Sequence, residues 1–219
     1  MENRIYSKVF SWLFIGLMIT FVSGYCLSLN QTLLYQVLSI GIIPIVIIEL
    51  VIALVMGFKI RTMNPIVAKI CYIVYSLITG VTFGSIFYVY EVSSVIFVFL
   101  VTSLIFGLLA LYGYVTKRDV TKISTILFVT LIAGLIISVL NLFIFKSSQL
   151  DTLLSIIMLV VFMGYVIYDM KAIKYLVNSM DEDNAAVYGA FQLYLDFINI
   201  FIRLLEFIGK EKDRWYYEK

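Results

Sequence analysis

Leu193-Tyr194-Leu195-Asp196-Phe197-Ile198-Asn199-Ile200-Phe201-Ile202-Arg203-Leu204-Leu205 is the stretch that decides the fold. Its apolar content suits the middle of a membrane helix, yet it carries an acid, an amide and a guanidinium. Extended in both directions at alternating steps of four and three, the polar positions become Tyr188, Gln192, Asp196, Asn199, Arg203, Glu206 and Lys210. On a helix these share one stripe, while Leu193, Leu195, Ile198, Ile200, Ile202 and Leu205 take the remaining surface. A stripe of that kind is unstable against acyl chains, so the helix is expected at the centre of a bundle with its polar side lining a cavity. The competing reading is an amphipathic helix lying on the membrane surface, disfavoured by the wide apolar surface and narrow polar face.

The rest of the chain reads as the bundle around it. Across 219 residues, 63% are hydrophobic and 14% charged, and mean hydropathy is +1.05, far from a soluble domain. Polar punctuation leaves seven candidate spans at about 9–29, 34–58, 66–90, 92–115, 121–145, 152–176 and 187–208. They are continuously apolar rather than alternating, which excludes a β-barrel. The expectation is an all-α integral membrane protein, a single transmembrane domain of seven helices over 1–219 with the last one central. The first span is longer than a signal-peptide core and lacks an Ala-x-Ala-like end, so it reads as a retained helix. Cys26 and Cys71 are isolated, which suggests neither a disulfide framework nor a metal knuckle.

Charge gives orientation. Arg4 and Lys8, then Lys59, Arg61 and Lys69, then Lys117, Arg118 and Lys122, then Lys171 and Lys174 fall on alternate connections, and the others hold only Lys146. The excess marks the cytoplasmic side and puts the N-terminus inside. Seven crossings then put the C-terminus outside, although Lys210, Lys212, Arg214 and Lys219 argue the reverse, so the last span either crosses against its charge or is re-entrant. The net charge of +2 is small and confined to loops and tail, which points to topology and implies no nucleic-acid partner. Small residues at packing intervals, Ser76-xxx-Gly80-xxx-Gly84, Ser103-xxx-Gly107 and Gly134-xxx-Ser138, are expected to bring helices together within the molecule.

The sixth span supplies a partner for the stripe. Ser155, Met158, Phe162, Tyr165 and Asp169 share a face, and an antiparallel hairpin through 177–184 brings Asp169 to the depth of Asp196. Two carboxyls meeting in a poorly hydrated place cannot both ionise without cost, so such a pair shares a proton. The alternative is that Asp169 pairs with Lys171 or Lys174 at the interface. Histidine is absent, so any response to pH near neutrality falls to carboxylates. Calcium prefers six to eight oxygens, so Asp169 and Asp196 bind it weakly, helped by water, carbonyls or Asn199. Glu49, in the second span shortly after Pro44, is the other intramembrane acid, with Arg203 as one candidate partner and an interhelical clamp as the plainer role.

The Leu193–Leu205 motif, with Tyr168-Asp169 on the preceding span, closely resembles the Bax inhibitor-1 family, its bacterial members above all. The resemblance runs over the whole chain in length, helix count and loop placement, with the last helix its specific part. It implies a seven-helix fold with the last helix surrounded by the others, and a pH-sensitive calcium leak in which Asp169 and Asp196 are the proton sensor and ion pathway. It also implies a basic latch at the end of the second helix, here Lys59 or Arg61, and places Glu49 where relatives carry a membrane glutamate. Glu49, Asn199, Arg203 and Glu206 are then pathway-lining residues. No tightly bound cofactor is expected; calcium and protons are cargo and signal, and the lipid bilayer is the standing partner. Family members are also described as regulators of cell death or membrane proteases, which makes a non-transporting regulator that binds other membrane proteins the alternative. An intramembrane aspartyl protease would need Gly-x-Gly-Asp and Pro-Ala-Leu segments; this sequence has neither, and no enzyme is expected. A bacterial plasma membrane is the expected location.

Overall fold

With almost no water available at membrane depth, each apolar run closes its own backbone hydrogen bonds and becomes a helix. In the computed structural model, which describes residues 2–212, these are α1 (Glu2–Leu29), α2 (Gln31–Ile40), α3 (Ile42–Lys59), α4 (Pro65–Val89), α5 (Val92–Val115), α6 (Thr121–Leu140), α7 (Ser148–Leu176) and α8 (Glu182–Ile208). Asn64 caps α4 by accepting from the Ile66 amide at 2.9 Å, and Pro65, with no N–H to satisfy, opens the helix. Helix α6 ends in a π-turn, Asn141–Phe145, closed by Lys146 in the left-handed region.

The second expected span is broken. Gly41 has φ +87°, a conformation that other residues rarely adopt, and α2 meets α3 there at 79°. Pro44 lies in the first turn of α3, where its missing N–H costs nothing, so glycine makes the break and proline starts the next helix.

The chain divides into two compact units: 1–95, 173–194 and 210–219 form the first, 96–172 and 195–209 the second. In the first, α1 and α4 run parallel. Tyr72 Oη donates to the Trp12 carbonyl (3.0 Å), Thr20 Oγ1 donates to the Ser76 carbonyl (2.9 Å), and Phe21 meets Phe83 edge to face at 4.9 Å. Gly80 permits this approach, because a Cβ there would strike Ser23 and lie 3.1 Å from the Thr20 carbonyl. Parallel α1 and α4 require the intervening 31–59 to cross once in total despite its break.

Helix α8 runs parallel to both. At its start Asp183 takes Lys8 (2.9 Å) and Lys69 (2.6 Å), while Glu182 takes Arg4 (3.2 Å) and Lys8 (2.9 Å). Beyond its end, the Glu91 amide donates to the Lys210 carbonyl and the Lys212 amide to the Val89 carbonyl, both at 2.9 Å. Lys210 Nζ also pairs with Glu91 at 2.6 Å. These contacts tie opposite ends of α8 to opposite ends of α4, so the last span crosses and is not re-entrant. Lys210 has its charge met by Glu91, which weakens its vote on topology; Arg214 and Lys219 lie outside the described residues.

In the second unit α6 and α7 are antiparallel, with Leu127 against Gly164 and Met158 against Gly134. Phe197 of α8 stacks between Phe99 and Phe106 of α5, at 5.4 and 5.5 Å. Two of the three small-residue motifs therefore pack within the molecule. The third differs, since a Cβ at Gly107 would meet nothing within 4 Å. The most polar helix is also the most buried: 72% of the span window in α8 is buried, against 11–39% in the other single-helix spans.

Gly80→Leu should lower the unfolding midpoint of the detergent-solubilised protein by the equivalent of about 1–3 kcal/mol through overpacking. Gly107→Leu should leave it unchanged. Thermal unfolding of the two variants checks both outcomes.

Candidate functional site

The site is built from α7 and α8 in the second unit. One face of α7 presents Ser155, Met158 and Asp169, all buried, with half-buried Phe162 and Tyr165 between them. Asp196 of α8 is buried as well, and the two carboxyls stand within hydrogen-bonding reach of each other. Tyr165 lies close enough to feel both charges. Asp196 Oδ2 is buried without a hydrogen-bond partner among the described residues. The basic residues that competed for Asp169 are engaged elsewhere: Lys171 Nζ donates to the Arg118 carbonyl, and the Lys174 ammonium sits 5.0 Å from the Tyr175 ring centre. No ion pair to either aspartate occurs among the described residues of this unit.

Farther along the same helix pair is a second polar cluster. Arg203 Nη1 donates to both carboxylate oxygens of Glu206 and to Ser155 Oγ, each at 3.1 Å, and Ser155 Oγ donates to Glu206 Oε2 at 2.9 Å. Asn199 is turned inward on its own helix, its amide donating to the Leu195 carbonyl at 2.8 Å. Glu49 and Arg203, one candidate pairing in the sequence, each have a partner within their own unit. Glu206, one turn from Arg203, offers a carboxylate within the same helix, and Glu49 instead accepts from Thr82 Oγ1 of α4 at 2.8 Å. That contact is the interhelical clamp. Of the two latch candidates, Lys59 is exposed in the last turn of α3, and the Arg61 guanidinium lies over the Tyr188 ring at 5.3 Å.

A sequence profile for the family described as "Inhibitor of apoptosis-promoting Bax1" matches residues 2–213. The chain belongs to the Bax inhibitor-1 family. Among relatives, the inner membrane protein YbhL of Escherichia coli strain K12 is 33% identical over 216 residues, covering 94% of this chain and 91% of its own. A protein of Borreliella burgdorferi is 33% identical over 219 residues (97% and 94%), and one of Deinococcus radiodurans 32% over 211 (94% and 90%).

In this member of the Bax inhibitor-1 family, sequence reasoning missed two clusters. One is the ionic group of Arg4, Lys8, Lys69, Glu182 and Asp183, for which the acidic start of α8 was the available signal. The other is a set of hydroxyls on α1, α4 and α8, signalled by Ser76, Thr79 and Thr82 at steps of three. The aspartate pair itself can do three things chemically: share a proton, hold a water, or offer two carboxyls to a cation. Among the described residues no group of three or more histidine, cysteine or acidic side chains gathers to hold a metal ion.

Asp169→Asn keeps a hydrogen-bonding group beside Asp196 and should leave the unfolding midpoint near that of the wild type. Asp169→Ala strips that partner from a buried carboxyl and should cost about 1–3 kcal/mol, read by thermal unfolding in detergent at neutral pH.

Proposed function

We propose that this protein is a pH-sensitive calcium leak of the bacterial plasma membrane, with Asp169 and Asp196 as its proton sensor and a calcium stop on its path. The observation that carries the reading is the burial of two carboxyls, on neighbouring helices and within reach of each other, one of them with an unpartnered oxygen. Such a pair is bistable. With a proton between them the two side chains are drawn together; with the proton gone they repel, and a cation or water must separate them. Calcium entering there meets two carboxyls where it prefers six to eight oxygens, so water and backbone carbonyls complete its shell and binding stays weak. Weak binding suits passage, because an ion held tightly does not leave.

Arg203, Glu206 and Asn199 extend the polar lining along α8. The Arg203–Glu206 pair supplies both signs of charge, so it screens the path without presenting an isolated cation to calcium. The N-terminus is cytoplasmic in this reading, supported by the excess of Lys and Arg on the connections that share its side. The similarity to an inner membrane protein of Escherichia coli supports the location.

Calcium flux into proteoliposomes should depend on pH between 5 and 8 and lose that dependence in Asp169→Asn and in Asp196→Asn. Flux that keeps its pH profile in both variants removes the aspartates from sensing. Absence of flux from the folded wild type favours a non-transporting regulator that works through other membrane proteins.

A further inference from the structure

In the first unit, Arg4, Lys8 and Lys69 each face an acid, because Glu182 and Asp183 open α8 beside them. The connection between α5 and α6, in the second unit, is built the other way. Thr116-Lys117-Arg118-Asp119-Val120-Thr121-Lys122 places three cations and one acid within seven residues. Lys117, Arg118 and Lys122 are exposed, and none of the three has an ion pair among the described residues. Lys171 of α7 brings a fourth positive charge to the same turn. Its Nζ donates to the Arg118 carbonyl, which fastens the connection to α7 while Arg118 itself stays exposed.

The excess of bases that orients a membrane protein asks only that they lie on one face, not that they gather unpaired around one turn. Lys122 lies in the first turn of α6, the end at which the helix dipole disfavours a cation. Lys212 shows the favourable placement, since its ammonium meets the Phe87 carbonyl at the C-terminal end of α4 (2.7 Å). Like charges gathered around one turn repel, and an anion from outside the protein relieves them.

The depth of the turn selects the anion. Tyr112 and Tyr114 are exposed in the last turn of α5, and such amphipathic rings settle at headgroup level. Lys117 and Arg118 follow within a few residues, at the depth of lipid phosphates. Val115 and Ile123, on either side of the connection, are exposed and apolar, a surface fit for acyl chains. Cations over an apolar flank match a molecule that is anionic at its head and hydrocarbon below.

We propose that the α5–α6 connection, with Lys171, binds the headgroup phosphate of an anionic phospholipid, whose acyl chains lie along Val115 and Ile123. The inference uses the second unit alone and stands whether or not the protein conducts calcium.

Native mass spectrometry of the full-length protein, released from micelles holding equimolar phosphatidylglycerol and phosphatidylcholine of the same chain length, tests it. The wild type is expected to retain phosphatidylglycerol in preference to phosphatidylcholine. Lys117→Gln, Arg118→Gln and Lys122→Gln should each weaken phosphatidylglycerol binding about fivefold, the worth of one cation near a membrane surface. The triple variant should hold the two lipids alike. Lys146→Gln, at the other end of α6, also removes one exposed charge and should keep the preference. A preference that survives the triple substitution, or that Lys146→Gln weakens as much as Lys117→Gln does, overturns the proposal. No preference in the wild type also overturns it and leaves the patch to an acidic protein segment.

Discussion

A polar side chain at membrane depth must find a partner inside the protein, and α8 carries more such side chains than any other helix here. Hydrophobic association cannot drive helices together in lipid, since acyl chains are as apolar as leucine. What places α8 is therefore the requirement that Asp196, Asn199, Arg203 and Tyr194 be withdrawn from the acyl chains. The result inverts the rule for soluble proteins: the least apolar span is the one most withdrawn from its surroundings. Its apolar residues Leu193, Ile198, Ile200, Phe201 and Leu205 are buried as well.

Matching is achieved by different chemistry along α8. Past its ionic first turn, where it lies along α1 and α4, its Tyr194 meets the neutral Thr20 hydroxyl. Beyond Leu195 the partners are ionisable: a carboxyl beside a carboxyl, then an arginine between a serine and a glutamate. Neutral matching tolerates any pH and rigidifies. Ionisable matching has a preferred proton count and is the natural place for a response. Glu49, which accepts from the Thr82 hydroxyl, belongs to the second kind by its own chemistry and to the first by its company.

The sequence revealed those features that follow from periodicity and depth. The six unbroken helical spans, the polar stripe, and the meeting of Asp169 with Asp196 all come from rise per residue and hairpin length, which do not depend on detailed packing. Where partner choice depends on which helices lie side by side, spacing was silent. Arg203 and Glu49 each had several geometrically allowed partners, and the contacts realised were with Glu206 and Thr82. The break at Gly41 was visible only as a glycine three residues ahead of Pro44, a common pattern inside membrane helices. Gly107 shows the opposite failure, a small-residue spacing that packs against nothing nearby. The tail beyond α8 resisted charge counting because Lys210 is neutralised by Glu91, a pairing set by backbone hydrogen bonds between 89–91 and 210–212.

The ionic group at the start of α8 bears on how such a chain is put together. Lys8 and Asp183 are separated by 175 positions, and Lys69 and Asp183 by 114. A ribosome feeding the protein into a bilayer releases both lysines long before their acid exists. Thr20 and Ser76, only 56 apart, are able to meet much earlier. The parallel α1–α4 seam is thus positioned to be a scaffold that waits, its amines hydrated at the interface, until α8 arrives. Insertion order and burial order run opposite ways: α8 follows the other helices described and is the most buried of them.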